Sequence, residues 1–177
     1  MTELQDWCLL ANAVAYSMDG VRNTCIHTSM ALAEFLRRQG LEAEVFRAEA
    51  AVHCLLHDQQ CYGSFAGGDG DGTRRPKSDG WRGHLAVSCG NFILDPTIDQ
   101  LETRCGLRPA PAVFRKPEGW GVTPPDRPWQ GGAWHRWEEG GLEVSHARHR
   151  RQVGWKSKPA ARPSRWLDIV EAMEKAR

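Results

Sequence analysis

Apolar residues recur at steps of three and four near the start of the chain, where Leu4, Trp7, Cys8, Ala11, Val14 and Ala15 line one face. That spacing predicts an amphipathic helix over residues 4–16, with Asp19-Gly20 as its stop. A second helix is expected from Thr24, a good N-cap residue, through Met30, Leu32, Ala33, Phe35 and Leu36. Arg37-Arg38 place positive charge at its end and Gly40 closes it. The period then shortens. Residues 43–55 are strand-like, and residues 83–89 and 92–95 predict a hairpin about Gly90-Asn91. Ile98-Asp99-Gln100-Leu101 begins a short helix or turn. A second hairpin is expected from residues 133–139 and 142–148 about Gly140-Gly141, with Trp134 and Trp137 as packing anchors. Ser164 is placed to cap a last helix carrying Trp166, Leu167, Ile169, Val170 and Met173.

Between these elements the composition changes. Residues 65–80 hold little but Gly, Asp, Arg, Lys, Ser and Pro, which predicts a mobile loop leading straight into His84. Residues 106–132 concentrate most of the ten prolines, with scattered Gly, Trp and Phe, and are expected to wrap irregularly over the core. No internal repeat is present. The expected architecture is α+β, with N-terminal helices packed on an antiparallel sheet. Residues 1–115 are read as its core. Residues 116–177 are read as an irregular Pro/Trp-rich extension, a hairpin plus the final helix, packed on that core.

A chain of 177 residues suits one domain with a sizeable interior. A net charge of +1 with 25% charged residues carries no overall signature for nucleic acid or membrane. The first residues carry an acid where an export signal would be basic, and no apolar run approaches the roughly 20 residues of a membrane helix. A cytoplasmic protein without a membrane partner is therefore expected. Its six cysteines are then expected to be reduced thiols.

That leaves Cys25 available as a nucleophile. A thiol attacks as thiolate, and the partial positive charge at a helix start favours that form. His84 opens one strand of the first hairpin and Asp95 closes the next, so a base and a carboxylate to orient it can face each other. Other groupings carry less. His53, Cys54, His57 and Cys61 have metal-ligand types but lack the paired Cys-x-x-Cys spacing. Asp69-Gly70-Asp71-Gly72-Thr73 has the look of a calcium loop, yet Arg74 stands where glycine is needed. Residues 146–151 (His-Ala-Arg-His-Arg-Arg), with Lys156 and Lys158 around Trp155, form a basic run suited to an acidic partner or nucleic acid.

The pattern Cys25-x-x-x-Ser29-x-x-Leu32-x-x-x-Leu36-x-x-x-Gly40, then His84-x-Ala86-Val87, then Leu94-Asp95-Pro96-Thr97-x-x-Gln100 resembles the transglutaminase-like branch of the papain-like cysteine peptidase superfamily. It looks most like the small bacterial and phage members, with arylamine N-acetyltransferases as distant relatives, over residues 3–105. The resemblance implies a Cys25 nucleophile, a His84 base and an Asp95 orienter. It implies a thiol hydrolase acting on a peptide or protein substrate through a thioester, without metal or organic cofactor. An amine acyltransferase is the alternative within the family, and a binding module using the basic run is the alternative outside it. Two departures stand out. His84-Leu85-Ala86 lacks the aromatic residue the family often carries two positions after the histidine. No single upstream oxyanion donor is evident among Gln5, Asn12, Tyr16 and Asn23, so only the backbone N–H of Cys25 is assigned. Trp81, Asn23 and Gln100 are the candidates for lining or covering the cleft.

Overall fold

In the computed structural model the first apolar stripe folds as helix α1, Thr2–Asp19, and the second as helix α2, Cys25–Arg38. The structure describes residues 2–19, 25–54, 59–61, 84–100, 109–116, 118, 120, 135–139, 142–148, 156 and 161–177. Thr24 therefore lies outside the described residues. Helix α2 buries Ile26, Ala31, Leu32, Ala33, Phe35 and Leu36 along one face. It ends as a Schellman motif: the Leu41 N–H donates to the Leu36 carbonyl at 3.0 Å and the Gly40 N–H to the Arg37 carbonyl at 2.9 Å. Gly40 takes φ 79° there.

Helix α3, Pro163–Ala176, departs from expectation at its start. Arg162 is the N-cap residue, extended at φ −71° and ψ 140°, with no side-chain capping bond, and Pro163 follows as the first helical residue. Proline suits that position because its φ is already helical and its missing N–H has no partner to lose. Ser164 falls inside the first turn. Trp166, Ile169, Val170 and Met173 pack α3 onto α1 and α2.

Seven strands form one antiparallel sheet among the described residues. They are β1 (Ala43–Cys54), β2 (Gln59–Cys61), β3 (His84–Cys89), β4 (Phe92–Asp95), β5 (Ala112–Arg115), β6 (His135–Glu139) and β7 (Leu142–Arg148). The order is β5-β4-β3-β1-β7-β6, with β2 beside β1. Strand β1 is the organiser: Ala43 to Ala48 pair with β3 and Ala48 to Cys54 with β7. The first hairpin pairs Cys89 with Phe92 across Gly90-Asn91, Gly90 at φ 52°. Two strands were not expected. Ala112-Val113-Phe114-Arg115 pairs with β4 inside the proline-rich stretch, as the sheet's edge strand, where flanking prolines cost no interior ladder bond. Gln59–Cys61 adds to the end of β1. Strands β6 and β7, residues of the expected extension, are members of the same sheet as β1 to β5.

The sheet separates two apolar clusters. Leu85, Val87 and Leu94 face the helices with Trp7, Leu32, Phe35, Leu36 and Ile169. Phe46, Ala86, Ile93, Phe114 and Val144 fill the opposite face. That second face is strongly concave. Strand β5 stands four places from β7, about 19 Å in a flat sheet, yet the Phe114 and His146 rings meet at 4.6 Å. The sheet must curl toward a partial barrel with the second cluster inside.

No atom lies within 4 Å of a Cβ built at Gly40, so its φ alone sets the effect of a substitution. Gly40→Ala should cost about 1 kcal/mol of unfolding free energy by urea titration. A variant as stable as the parent would remove the αL cap from the account of how α2 ends.

Candidate active site

The first hairpin brings the two ends of its strands together. His84 is the first residue of β3 and Asp95 the last of β4, and His84 Nε2 lies 2.6 Å from Asp95 Oδ2, both residues buried. Cys25 is the first residue of α2 and is half-buried. Its thiol is close enough to the His84 imidazole to favour the charged form of the ring. Since Nε2 is taken by Asp95, Nδ1 is the ring atom left to face the thiol. One turn along α2, Ser29 Oγ donates to the Leu85 carbonyl at 3.2 Å. That bond fastens the helix carrying the thiol to the strand carrying the imidazole, next to His84 itself.

A fourth residue joins them. His146 on β7 places Nε2 2.7 Å from the same Asp95 Oδ2, and it is fully buried. Asp95 Oδ1 accepts the Thr97 backbone N–H at 3.1 Å. Burial alone would push the Asp95 carboxyl up, but the charge of His84 and hydrogen bonds from both histidines hold it well below the usual carboxylate range. Burial alone would likewise depress His84; the Asp95 charge and hydrogen bond, with a smaller push from Cys25, carry it up to about 10. Burial lowers His146, outweighing Asp95. Asp95 thus favours the charged form of His84, while burial favours the neutral form of His146.

Sequence reasoning placed His146 in the basic run, yet a signal was present. In β7 it falls in step with Leu142 and Val144, the apolar phase of the strand, so alternation turns it inward. Arg148, from the same run, pairs with Glu44 at 3.1 Å and lies over the Phe46 ring. Residues 149–151, Trp155 and Lys158 lie outside the described residues; Lys156 is exposed.

Helix α1 supports the carboxylate from below. Gln5, Cys8 and Asn12 are spaced three and four apart and form one stripe. Gln5 Nε2 donates to the Pro111 carbonyl at 2.7 Å and its Oε1 accepts the Val113 N–H at 3.0 Å. The Cys8 thiol sits 3.7 Å from the Ala112 carbonyl. Asn12 Nδ2 donates to the Pro96 carbonyl at 2.6 Å and to Asp99 Oδ1 at 3.1 Å. Gln5 and Asn12 are thereby committed to holding β5 and the turn after Asp95, and neither is placed to serve as an oxyanion donor. Tyr16 is 65% exposed. Asn23, Trp81, the 65–80 segment, Trp134 and His57 lie outside the described residues. So do the Gln100, Trp137, His53, Cys54 and Cys61 side chains, whose backbones belong to the turn Ile98–Gln100 and to strands β6, β1 and β2. Among the cysteines with described side chains, Cys8 and Cys89 are buried and their thiols are pushed up by that burial. Cys25 differs in being partly open.

His84, Asp95 and His146 also offer one ligand atom each within 4.8 Å of one another. Their spacing fits hydrogen bonds instead. Ligand atoms around a tetrahedral zinc stand about 3.3 Å apart, whereas both imidazole nitrogens approach Oδ2 at 2.6–2.7 Å. A metal-bound His146 would also carry its proton on Nδ1, which has no acceptor among the described residues. The thiol, on the far side of the His84 ring, completes no common centre.

No protein family, curated protein or solved structure matches the chain.

The His84–Asp95 contact predicts a pH profile. His84 is raised from 6.5 to about 10, so its contribution to stability is complete below pH 6.5 and fades as pH rises toward 10. Asp95 is lowered from 3.8, so the same interaction persists above about pH 4 and fades in acid. The stability advantage of the protein over its His84→Gln variant should therefore shrink between pH 6.5 and 10 in urea titrations. A flat difference would mean that the imidazole is not charged in the folded state.

Proposed function

We propose that this protein is a cysteine-nucleophile acyl-transfer enzyme with a Cys25-His84-Asp95 triad, of the papain-like and transglutaminase-like kind, hydrolysing a peptide or isopeptide bond. The observation that carries the reading is the half-buried Cys25 thiol beside an imidazole whose Nε2 is held by a buried carboxylate. The position of Cys25 at a helix start and the burial of the other described thiols support the same choice of nucleophile.

The roles follow from the geometry. The thiol proton is held on His84 Nδ1, in the imidazolium form that Asp95 favours, and the sulfur attacks the acyl carbon. The carbonyl oxygen gains negative charge, and the backbone N–H of Cys25, at the start of α2, is the donor assigned to meet it. When the tetrahedral intermediate collapses, the carbon–nitrogen bond breaks and the imidazolium gives its proton to the departing amine. Water then enters: His84 takes its proton, the oxygen attacks the thioester carbonyl, and the sulfur leaves while the imidazolium keeps that proton, which restores the starting pair. Asp95 stays ionised throughout and fixes the ring's tautomer and plane. No metal or organic cofactor enters this scheme. Replacement of water by an amine in the last step would give transfer instead of hydrolysis, with the same residues in the same roles.

The test is an unbiased peptide and isopeptide library, with and without an added amine, read by mass spectrometry for cleaved and amine-joined products. Cys25→Ala should lose all activity, and His84→Gln should lose about a hundredfold to ten-thousandfold. Iodoacetamide near neutral pH should label Cys25 faster than the other thiols. Uniformly slow labelling, or activity retained by Cys25→Ala, would overturn the reading and leave a binding module.

A further inference from the structure

We propose that His146 is a positioning residue for this reaction: as a neutral donor from β7 it clamps the Asp95 carboxylate in the orientation that His84 requires. The inference rests on the triad reading above and adds a fourth member to it. Three contacts fix the carboxylate plane. His84 and His146 share Oδ2 at 2.6 and 2.7 Å, and the Thr97 N–H holds Oδ1 at 3.1 Å. With only the contacts to His84 and Thr97, the buried carboxylate would lose one of its three donors, at a cost that burial magnifies.

The chemistry of His146 suits it to this task because it brings a proton without bringing a charge. Its Nδ1 is buried, has no hydrogen-bond partner among the described residues, and belongs to a ring tilted 37° against Phe114. A proton on Nδ1 would be a buried donor with nothing to accept it, which disfavours both the imidazolium and the Nδ1–H tautomer. The Nε2–H tautomer is the form that remains. A second cation there would compete with His84 for the carboxylate, whereas a neutral N–H keeps Asp95 ionised and leaves its charge to His84. Among the described residues, the titratable groups that face Asp95 are His84 from β3, His146 from β7 and Cys8 from α1, with Asp99 nearby in the Ile98–Gln100 turn and Cys25 of α2 beside the His84 ring. None of the others is a neutral donor aimed at a carboxylate oxygen. The position of His146 is set by register, Ala50 opposite His146 and Ala48 opposite Arg148, so a one-residue slip of β7 would turn the ring to the other face.

Two variants and one measurement on the unaltered protein test this. Gln at 146 carries an N–H where the imidazole has Nε2, while Leu fills the space without a donor. In protein labelled with carboxyl-13C aspartate, Asp95 should show no titration down to about pH 3, rise by about one pH unit or more in His146→Leu, and return in His146→Gln. Alkylation of Cys25 by iodoacetamide at pH 6 should fall about tenfold in His146→Leu, its acid limb moving with Asp95, and recover most of that loss in His146→Gln. Should His146→Leu not fold, imidazole 15N shifts of the unaltered protein decide the matter: His146 must carry its proton on Nε2 alone from pH 5 to 8. Protonation on Nδ1 overturns the proposal. So does a folded His146→Leu variant with unchanged Asp95 titration and thiol reactivity, or a stoichiometric zinc ion, added as the chloride, that both variants fail to bind. An Asp95 that responds as expected in a protein transferring no acyl group would support the clamp and refute the triad reading, so the two failures are distinguishable.

Discussion

A single carboxylate, Asp95, is ionised in a place where water does not reach it, and much of the surrounding structure serves to make that tolerable. An uncompensated charge of this kind would unfold a small domain or capture a proton. Here it is met by donors from three directions: β3 through His84, β7 through His146, and its own turn through Thr97. Helix α1 adds nothing to the charge itself but fixes the turn that carries it, through Asn12 on Pro96. Each donor comes from a different stretch of chain, so the carboxylate acts as the point where the fold is checked for consistency.

The curvature of the sheet follows from the same requirement. Strand β4 stands three places from β7, about 14 Å if flat, and His146 can reach Asp95 only because the sheet bends around the cluster of Phe46, Ala86, Ile93, Phe114 and Val144. Alanines at 48, 50, 86 and 112 leave room inside the bend for the rings of Phe46, Phe114 and His146. The apolar packing and the polar centre are thus one construction: the small residues permit the curl, and the curl closes the distance between donor and acceptor.

What could be read along the chain was whatever depends on near neighbours. Helix α2 and its Gly40 stop rest on contacts three to five residues apart, and the hairpin of His84 and Asp95 on a two-residue turn. That is why Cys25, His84 and Asp95 could be singled out together. His146 escaped because its role depends on the pairing of β1 with β7 and on the curl, both set by residues a hundred positions apart; next to Arg148, His149 and Arg150 it looked like one more surface cation. Strand β5 was hidden by its prolines, which lie beside the strand and not in it. Gln5 and Asn12 looked like spare amides because nothing local reveals that their stripe of α1 faces the backbone of β5 and of the turn after β4. At α3 the competition was local and went the other way: proline at the first helical position outweighed serine one residue later.

The span between Cys25 and His146 has a consequence for how the protein is born. Chains leave the ribosome from the amino end, so the helix with the thiol and the strands with His84 and Asp95 are all outside before β7 has been synthesised. Until then Asp95 lacks the donor that β7 will bring. The order of synthesis thus leaves one of the carboxylate's three donors to the last third of the chain to be made.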